Sequence, residues 1–304
     1  MKQFQKLTAG QKEAYDRKAR ELSGILPSTL YFESVYAWSH TCRPFFREID
    51  NYYCILLEDE SCMERYYYMP LGTYEQKSFQ KAIDKLMAGE CKTPGQLRFR
   101  DVGEAQIPFF QKLTGYEVNT EDNRGDADYI FTAKEFRNTL ESQEFRYNRN
   151  YFLRRQASRC RPIDSADGKN IRTLLKEAYC RYHICSDCSN GCLIRSIDLF
   201  LEQQKTMDWE GLEVYVEGIL AAYVVCVPWK DTLMVLFKKT LRGYRGLDEY
   251  LHMEMLDRFQ KDMAYINYTE DMGLYGLRRY KEKWGAYQLN HRYRVTVRTR
   301  EEKK

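Results

Sequence analysis

The chain has 304 residues, enough for about two domains with real cores, and 43% of them are hydrophobic while 30% are charged. A formal net charge of only +4 excludes binding by bulk basicity, so cations matter only where they cluster. No apolar run approaches the roughly 18 residues of a membrane span, and the N-terminal stretch has no apolar signal core, so no integral membrane segment is expected and ten cysteines read as reduced thiols of a cytoplasmic protein.

Residues 10–22 carry helix formers and stop at Gly24 and Pro27, and residues 30–38 are rich in aromatics. Tyr52–Leu57 and Tyr66–Met69 read as strands around an acidic turn at Glu58–Glu60. A helix fits Tyr74–Met87 between Gly72 and Gly89. Strand Leu97–Arg100, a short helix Gln106–Leu113, and strands Tyr116–Val118 and Tyr129–Phe131 follow. The polar, Gly-containing loop Asp122–Asp128 puts a boundary between Phe131 and Glu144, giving expected domains at 1–137 and 138–304.

In the second half, Asn170–Arg181 and Ile194–Gln204 are expected helices, and Glu213–Val216, Leu220–Val227 and Thr232–Phe237 are expected strands. A helix spans Leu247–Lys261, then come strand Tyr265–Asn267, a helix to Trp284 and strands through Val297. Met69 corresponds to Lys238, Leu97 to Ile266 and Gly115 to Gly285, a nearly constant offset that argues for duplication. A meander leading into helix, strand and helix is a mixed α/β pattern.

Ile266–Trp284 brings together a strand end, an acidic turn with glycines and a cationic helix face. Asn267, Glu270 and Asp271 fall within five positions, and Gly273 and Gly276 follow. Leu277, Tyr280 and Trp284 share one helix face, and Arg278 and Lys281 share another. Polar groups set at a strand exit suit a site. By residue type alone, Asp271 as a helix cap, Gly273 as a positive-φ turn and two solvated cations account for the same pattern.

Asn267, Glu270-Asp271, Gly273, Gly276-Leu277-Arg278 and Lys281, ending in Trp284 and a closing strand with Tyr293-Arg294-Val295, resemble the C-terminal signature of one family. It is the phosphatidylglycerol lysyltransferase C-terminal-domain-like family, related to GNAT acyltransferases and to aminoacyl-tRNA-dependent peptidyltransferases. The resemblance implies two tandem GNAT-like lobes, with the cleft in the C-terminal one. It implies transfer of an acyl or aminoacyl group from acyl-CoA or aminoacyl-tRNA to an amine or hydroxyl. In that chemistry Glu270 or Asp271 is the candidate base and Asn267 an orienting donor, while Arg278 and Lys281 bind the carrier's phosphates or the substrate's charge. Full enzymes of the family anchor this domain in membrane. Without such a segment, a small-molecule or peptide acceptor, or a tRNA-linked group, is expected here rather than lipid.

Lys238-Lys239-Thr240-Leu241-Arg242-Gly243-Tyr244-Arg245-Gly246 joins a strand to a helix. In GNAT enzymes this junction presents backbone N–H groups and a helix N-terminus to the pyrophosphate of acyl-CoA. That makes Lys238, Lys239, Arg242, Gly243, Arg245 and Gly246 candidate carrier-binding residues. The fit to the GNAT signature is loose, Lys238 stands where relatives often carry Glu, and a plain glycine turn is the alternative.

Residues 145–161 hold six arginines, Arg154 and Arg155 among them, and no acid, with Phe145, Tyr147, Tyr151 and Phe152 interleaved. Read as one basic helix, this is either a track for tRNA or another phosphorylated ligand, or a solvated face. Cys180, Cys185, Cys188 and Cys192, with His183 inside, can hold zinc through four thiolates, although the spacing is not that of a zinc ribbon and a loop of free thiols is the alternative. No Ser–His–Asp order, Walker loop or dinucleotide fingerprint appears, and His40, His183, His252 and His291 form no pattern. The reading from another class is a non-catalytic protein that holds RNA or a peptide through 145–161. Oligomeric state stays open.

Overall fold

Two stretches show how the sequence divides its strands. Ile219–Trp229 is apolar and buried along most of its length, as a strand covered on both faces must be. Arg292–Thr299 alternates, with Val295 and Val297 inside and Arg294 and Arg298 outside, as a strand with one wet face does. They lie in different sheets.

The computed structural model describes residues 4–59, 63–90, 95–164, 168–180, 192–259 and 263–300. The chain divides into two units, one of 1–127 with 290–304 and one of 128–289. The first contains β1 (Gln5–Lys6), α1 (Lys12–Arg20), α2 (Phe32–Ala37), β2 (Cys42–Ile49), β3 (Tyr52–Asp59), β4 (Glu64–Tyr68), α3 (Gln76–Glu90), β5 (Gln96–Gly103), α4 (Ile107–Gln111) and β6 (Tyr116–Asp122). Its sheet runs β1-β2-β3-β4-β5-β14-β6, where β14 is the last strand, Arg292–Thr299. β4 and β5 pair in parallel, and the other neighbours are antiparallel.

The second unit contains β7 (Asp128–Thr132), α5 (Ala133–Leu140), α6 (Gln143–Arg155), β8 (Ser158–Pro162), α7 (Gly168–Leu175), α8 (Leu193–Glu202), β9 (Glu210–Val216), β10 (Ile219–Trp229), β11 (Thr232–Thr240), α9 (Leu247–Phe259), β12 (Tyr265–Asn267), α10 (Tyr275–Glu282) and β13 (Gln288–Asn290). Its sheet runs β8-β9-β10-β11-β12-β7-β13, again with a parallel pair at the fourth and fifth places, β11 and β12. Phe136, Phe152, Leu251, Met255 and Trp284 share one core with Val214, Val224 and Ile266.

Counted from β1 and from β8, the two sheets have the same strand order, and corresponding strands are joined by corresponding helices. The constant sequence offset reappears as repeated architecture. The expected division at 137/138 does not follow the units. β7 follows β6 in the chain but lies between β12 and β13, while β14 follows β13 but lies between β5 and β6. Each sheet thus takes its sixth strand from the stretch next to the other unit's edge strand. Alternation in a strand states which face is buried, not which sheet it joins.

Candidate functional site

The site is built from the chain leaving β12. Asn267, fully buried, ends the strand and turns the chain: its Oδ1 accepts from Thr269 N at 2.9 Å and its Nδ2 donates to Asp128 Oδ2 at 3.1 Å. Thr269, Met272 and Gly273 all have positive φ, at 59°, 53° and 71°. Two of these are not glycine, so the turn holds conformations that cost about 1 kcal/mol or more each and persist only where the surroundings impose them.

Asp271 and Lys281 impose them. Asp271, fully buried, accepts from Gly273 N at 2.8 Å, from Tyr129 OH at 2.7 Å and from Arg278 Nε at 2.8 Å. Burial alone would raise its carboxyl; the hydrogen bond from Arg278, then those from Tyr129 and Gly273, outweigh that and hold it well below the usual carboxylate range. Lys281, on α10 and 3% exposed, donates to the backbone oxygens of Tyr268 and Glu270 and to Thr269 Oγ1. The structure therefore brings Asn267, Glu270, Asp271, Arg278 and Lys281 to one place. Asn267, Asp271 and Lys281 have their polar atoms committed to holding the turn, and Glu270 is its half-buried carboxylate. Beyond the turn, Met272, Leu274 and Tyr275 stand exposed.

At the junction after β11, Lys238 and Lys239 leave opposite faces of the strand. Lys238 Nζ pairs with Asp248 Oδ1 at 2.5 Å and donates to Tyr280 OH at 2.7 Å. Burial would raise the Asp248 carboxyl, but Lys238 holds it down to about 2. Lys239 lies opposite Tyr223, and burial lowers its ammonium pKa. A cavity of about 510 Å³ is lined by residues 240–249 and by Asn148 of α6. Arg242, Gly243 and Arg245 line it and are exposed. Gly246 has φ +87°, and a Cβ there would lie 1.9 Å from Asn148 O, so glycine is what lets α6 approach. Asp248 and Glu249 occupy the first turn of α9 and answer the helix dipole from within.

Residues 145–161 are not one helix. α6 ends at Arg155, Gln156 is extended, and Ser158–Pro162 pairs with β9. The reason is Arg161, which the ladder carries to Glu213, fully buried, at 3.2 Å. Arg154 and Arg155 stay exposed on α6. Arg245 lies over the rings of Tyr147 and Tyr151 at 5.2 and 5.3 Å, and Arg155 lies over Tyr151 at 4.8 Å. Cys185, Cys188 and His183 fall outside the described residues; Cys180 closes a π-helical turn after α7, and Cys192 precedes α8, both as free thiols.

Sequence reasoning missed Asp128 and Tyr129, which reach the turn from a strand some 140 residues earlier, and His252, which contacts Tyr268 OH from the centre of α9. The DADYIF run could have flagged the first two, since a buried strand seldom carries an acid without a partner.

The profile of the family described as phosphatidylglycerol lysyltransferase, C-terminal, matches residues 21–296. No curated protein matches the sequence. Among solved structures, a conserved protein of unknown function from Bacteroides thetaiotaomicron aligns with a TM-score of 0.86 at 19% identity, over 98% of this chain and 100% of that one. The L-PGS of Bacillus licheniformis aligns with a TM-score of 0.65 at 12% identity, over 100% and 96%. A tandem GNAT protein from the clavulanic acid biosynthesis pathway aligns with a TM-score of 0.53 at 9% identity, over 99% of each chain. At these identities the likeness is one of fold, and it is the expected one: a mixed α/β chain of two GNAT-like lobes.

Proposed function

The chain belongs to the phosphatidylglycerol lysyltransferase C-terminal family, and from that premise we propose that it moves an acyl or aminoacyl group from CoA or tRNA to an amine or hydroxyl. The observation that carries the reading is the family match over both units, which includes a turn whose backbone is held by three side chains, Asn267, Asp271 and Lys281, with Arg278 fixing the Asp271 carboxylate. Such transfer needs a fixed geometry and a group that takes the acceptor's proton. With Asn267 and Asp271 committed to the turn, Glu270 takes that proton.

Two features favour tRNA as the carrier. Arg245, Arg155 and two tyrosines form a column of cations and rings suited to phosphates and unstacked bases. The end of α9, where a pyrophosphate would sit, already carries Asp248 and Glu249. No described helix is long and apolar enough to cross a membrane, and a small-molecule or peptide amine is the acceptor proposed. The test is incubation with labelled aminoacyl-tRNA or labelled acetyl-CoA and a set of amines. Label passing from either carrier supports the reading, and none from both refutes it. The same column also fits a protein that binds RNA and transfers nothing, and the assay separates the two.

A further inference from the structure

The sheet of the second unit opens at one point. β11 and β12 pair only from Thr232 with Tyr265 to Met234 with Asn267, where β12 ends, while β11 continues to Thr240. Lys238 lies on this continuation, and Tyr268 is the first residue after β12. Lys238 stands opposite Val224, whose side chain belongs to the core shared with α9, so Lys238 points to the α9 side.

There it heads a directional chain of hydrogen bonds. His252 Nδ1 is 2.6 Å from Asp248 O, and a carbonyl only accepts, so Nδ1 carries the ring proton. Nε2 then accepts from Tyr268 OH at 2.7 Å. Tyr268 OH, 3.4 Å from Tyr280 OH, accepts from it in turn, and Tyr280 OH accepts from Lys238 Nζ at 2.7 Å. Burial, ahead of the nearby Lys238 charge, pushes the His252 pKa down to about 3, so the ring stays neutral and the chain keeps its direction. An ammonium has three N–H donors. Among the described residues, Asp248 and Tyr280 take two of them. The third is left for a group from outside, on the side of β11 that β12 no longer covers, the other side being paired with β10.

We propose that Lys238 is the oxyanion donor of the transfer, its third N–H held for the carbonyl oxygen of the group being moved. This rests on the reading of the protein as a transferase. Asp248 and Tyr280 are positioning residues that fix where that N–H points. The acceptor's nitrogen or oxygen adds to the carbonyl carbon, and the C=O π pair moves onto oxygen, where the Lys238 N–H stabilises it without giving up a proton. When the pair returns, the C–O bond to tRNA or the C–S bond to CoA breaks, and the leaving oxygen or sulfur receives the proton lost by the acceptor.

The test compares planar with tetrahedral mimics of each donor. For tRNA these are puromycin and its analogue with a phosphonate in place of the amide carbonyl. For CoA they are acetonyl-CoA and the methylphosphonothioate of CoA. Wild type should bind the tetrahedral member of one pair more tightly. Lys238→Met should lower that affinity about tenfold or more, the effect of a charged hydrogen bond, and leave the planar member nearly unchanged. Tyr280→Phe should shrink the tetrahedral-to-planar ratio part of the way. If Lys238→Met fails to fold because Asp248 loses its partner, the double variant with Asp248→Asn removes both charges and should show the same loss. Equal losses for both members, no loss, or no tetrahedral preference in wild type would overturn the proposal. A Lys238-dependent preference in a protein that transfers nothing would overturn the functional reading alone.

Discussion

Asp271 and Arg278 form a two-point ion pair across the turn after β12, Nε to Oδ2 at 2.8 Å and Nη2 to Oδ1 at 3.4 Å. Seven residues apart, they tie the start of α10 to the end of β12, and Tyr129 of β7 closes the same carboxylate from the neighbouring strand. An acid held this way is an anchor. Its proton affinity is too low for it to accept a proton usefully at neutral pH.

Asp271→Asn should therefore destabilise the protein by about 2 kcal/mol, the scale of a lost charged hydrogen bond. The sign with pH follows from the direction of the shift. A carboxyl depressed in the folded state contributes stability above its unfolded pKa of about 4, and that contribution is lost as pH falls below it. Asp248, held down to about 2, adds to the same window. Urea unfolding between pH 5 and pH 3 should show a shallower fall for Asp271→Asn than for wild type.

Lys281→Met should cost more than Arg278→Met. The first strands two backbone oxygens and a hydroxyl in the turn, whereas Arg278 is about a third exposed and water can replace part of its pair. A loss of about 3 kcal/mol is expected for Lys281→Met. Equal losses on chemical denaturation would contradict the assignment of Lys281 as the clamp.

How far the sequence reached is clearest in this turn. Asn267, Glu270, Asp271, Arg278 and Lys281 were legible because they are close in sequence and alternate between a strand exit and one helix face. Their partners Asp128 and Tyr129 were not, because β7 reads as an ordinary strand and nothing local says it crosses to the second sheet. The same blindness misplaced the 137/138 boundary and hid the placement of β14. The central strands β10 and β11 and the helices α3 and α9 were legible from apolar runs and Gly boundaries. The arginines of 145–161 read as one helix because composition says nothing of Glu213, the buried acid that draws Arg161 into β8.

His252 gives a second pH signature of opposite chemistry. Its folded pKa, about 3, lies below the unfolded value of about 6.5, so the unfolded chain binds the extra proton between these limits. Stability should fall as pH drops from 6.5, by about 2 kcal/mol at pH 5. His252→Phe should be less stable at pH 7 yet lose less between pH 7 and pH 5. A parallel decline would contradict a neutral buried ring.

Gly246 and Gly243 offer an internal control. Both have positive φ, but a Cβ at Gly246 meets Asn148 O at 1.9 Å, while one at Gly243 meets nothing within 4 Å. Gly243→Ala should cost about 1 kcal/mol from conformation alone, and Gly246→Ala about 3 kcal/mol or more because α6 must move. Thermal unfolding of the pair reads the difference.

The proposed carrier surface is tested by salt. Replacing Arg154, Arg155 and Arg245 with Ala should weaken tRNA binding, and the slope of log affinity against log salt should fall by about one to three units as phosphate contacts are lost. An unchanged slope would leave these arginines as solvated surface.

The measurement that bears most directly on the account is transfer itself, by wild type and by Glu270→Gln, from labelled aminoacyl-tRNA and from labelled acetyl-CoA to an amine. The account predicts transfer by wild type from one of these carriers. In Glu270→Gln it predicts a fall in kcat of about a hundredfold, with folding and carrier affinity kept. A folded wild-type protein that binds tRNA and passes label from neither carrier would contradict it, and the chain would then be a binding protein built on a transferase fold.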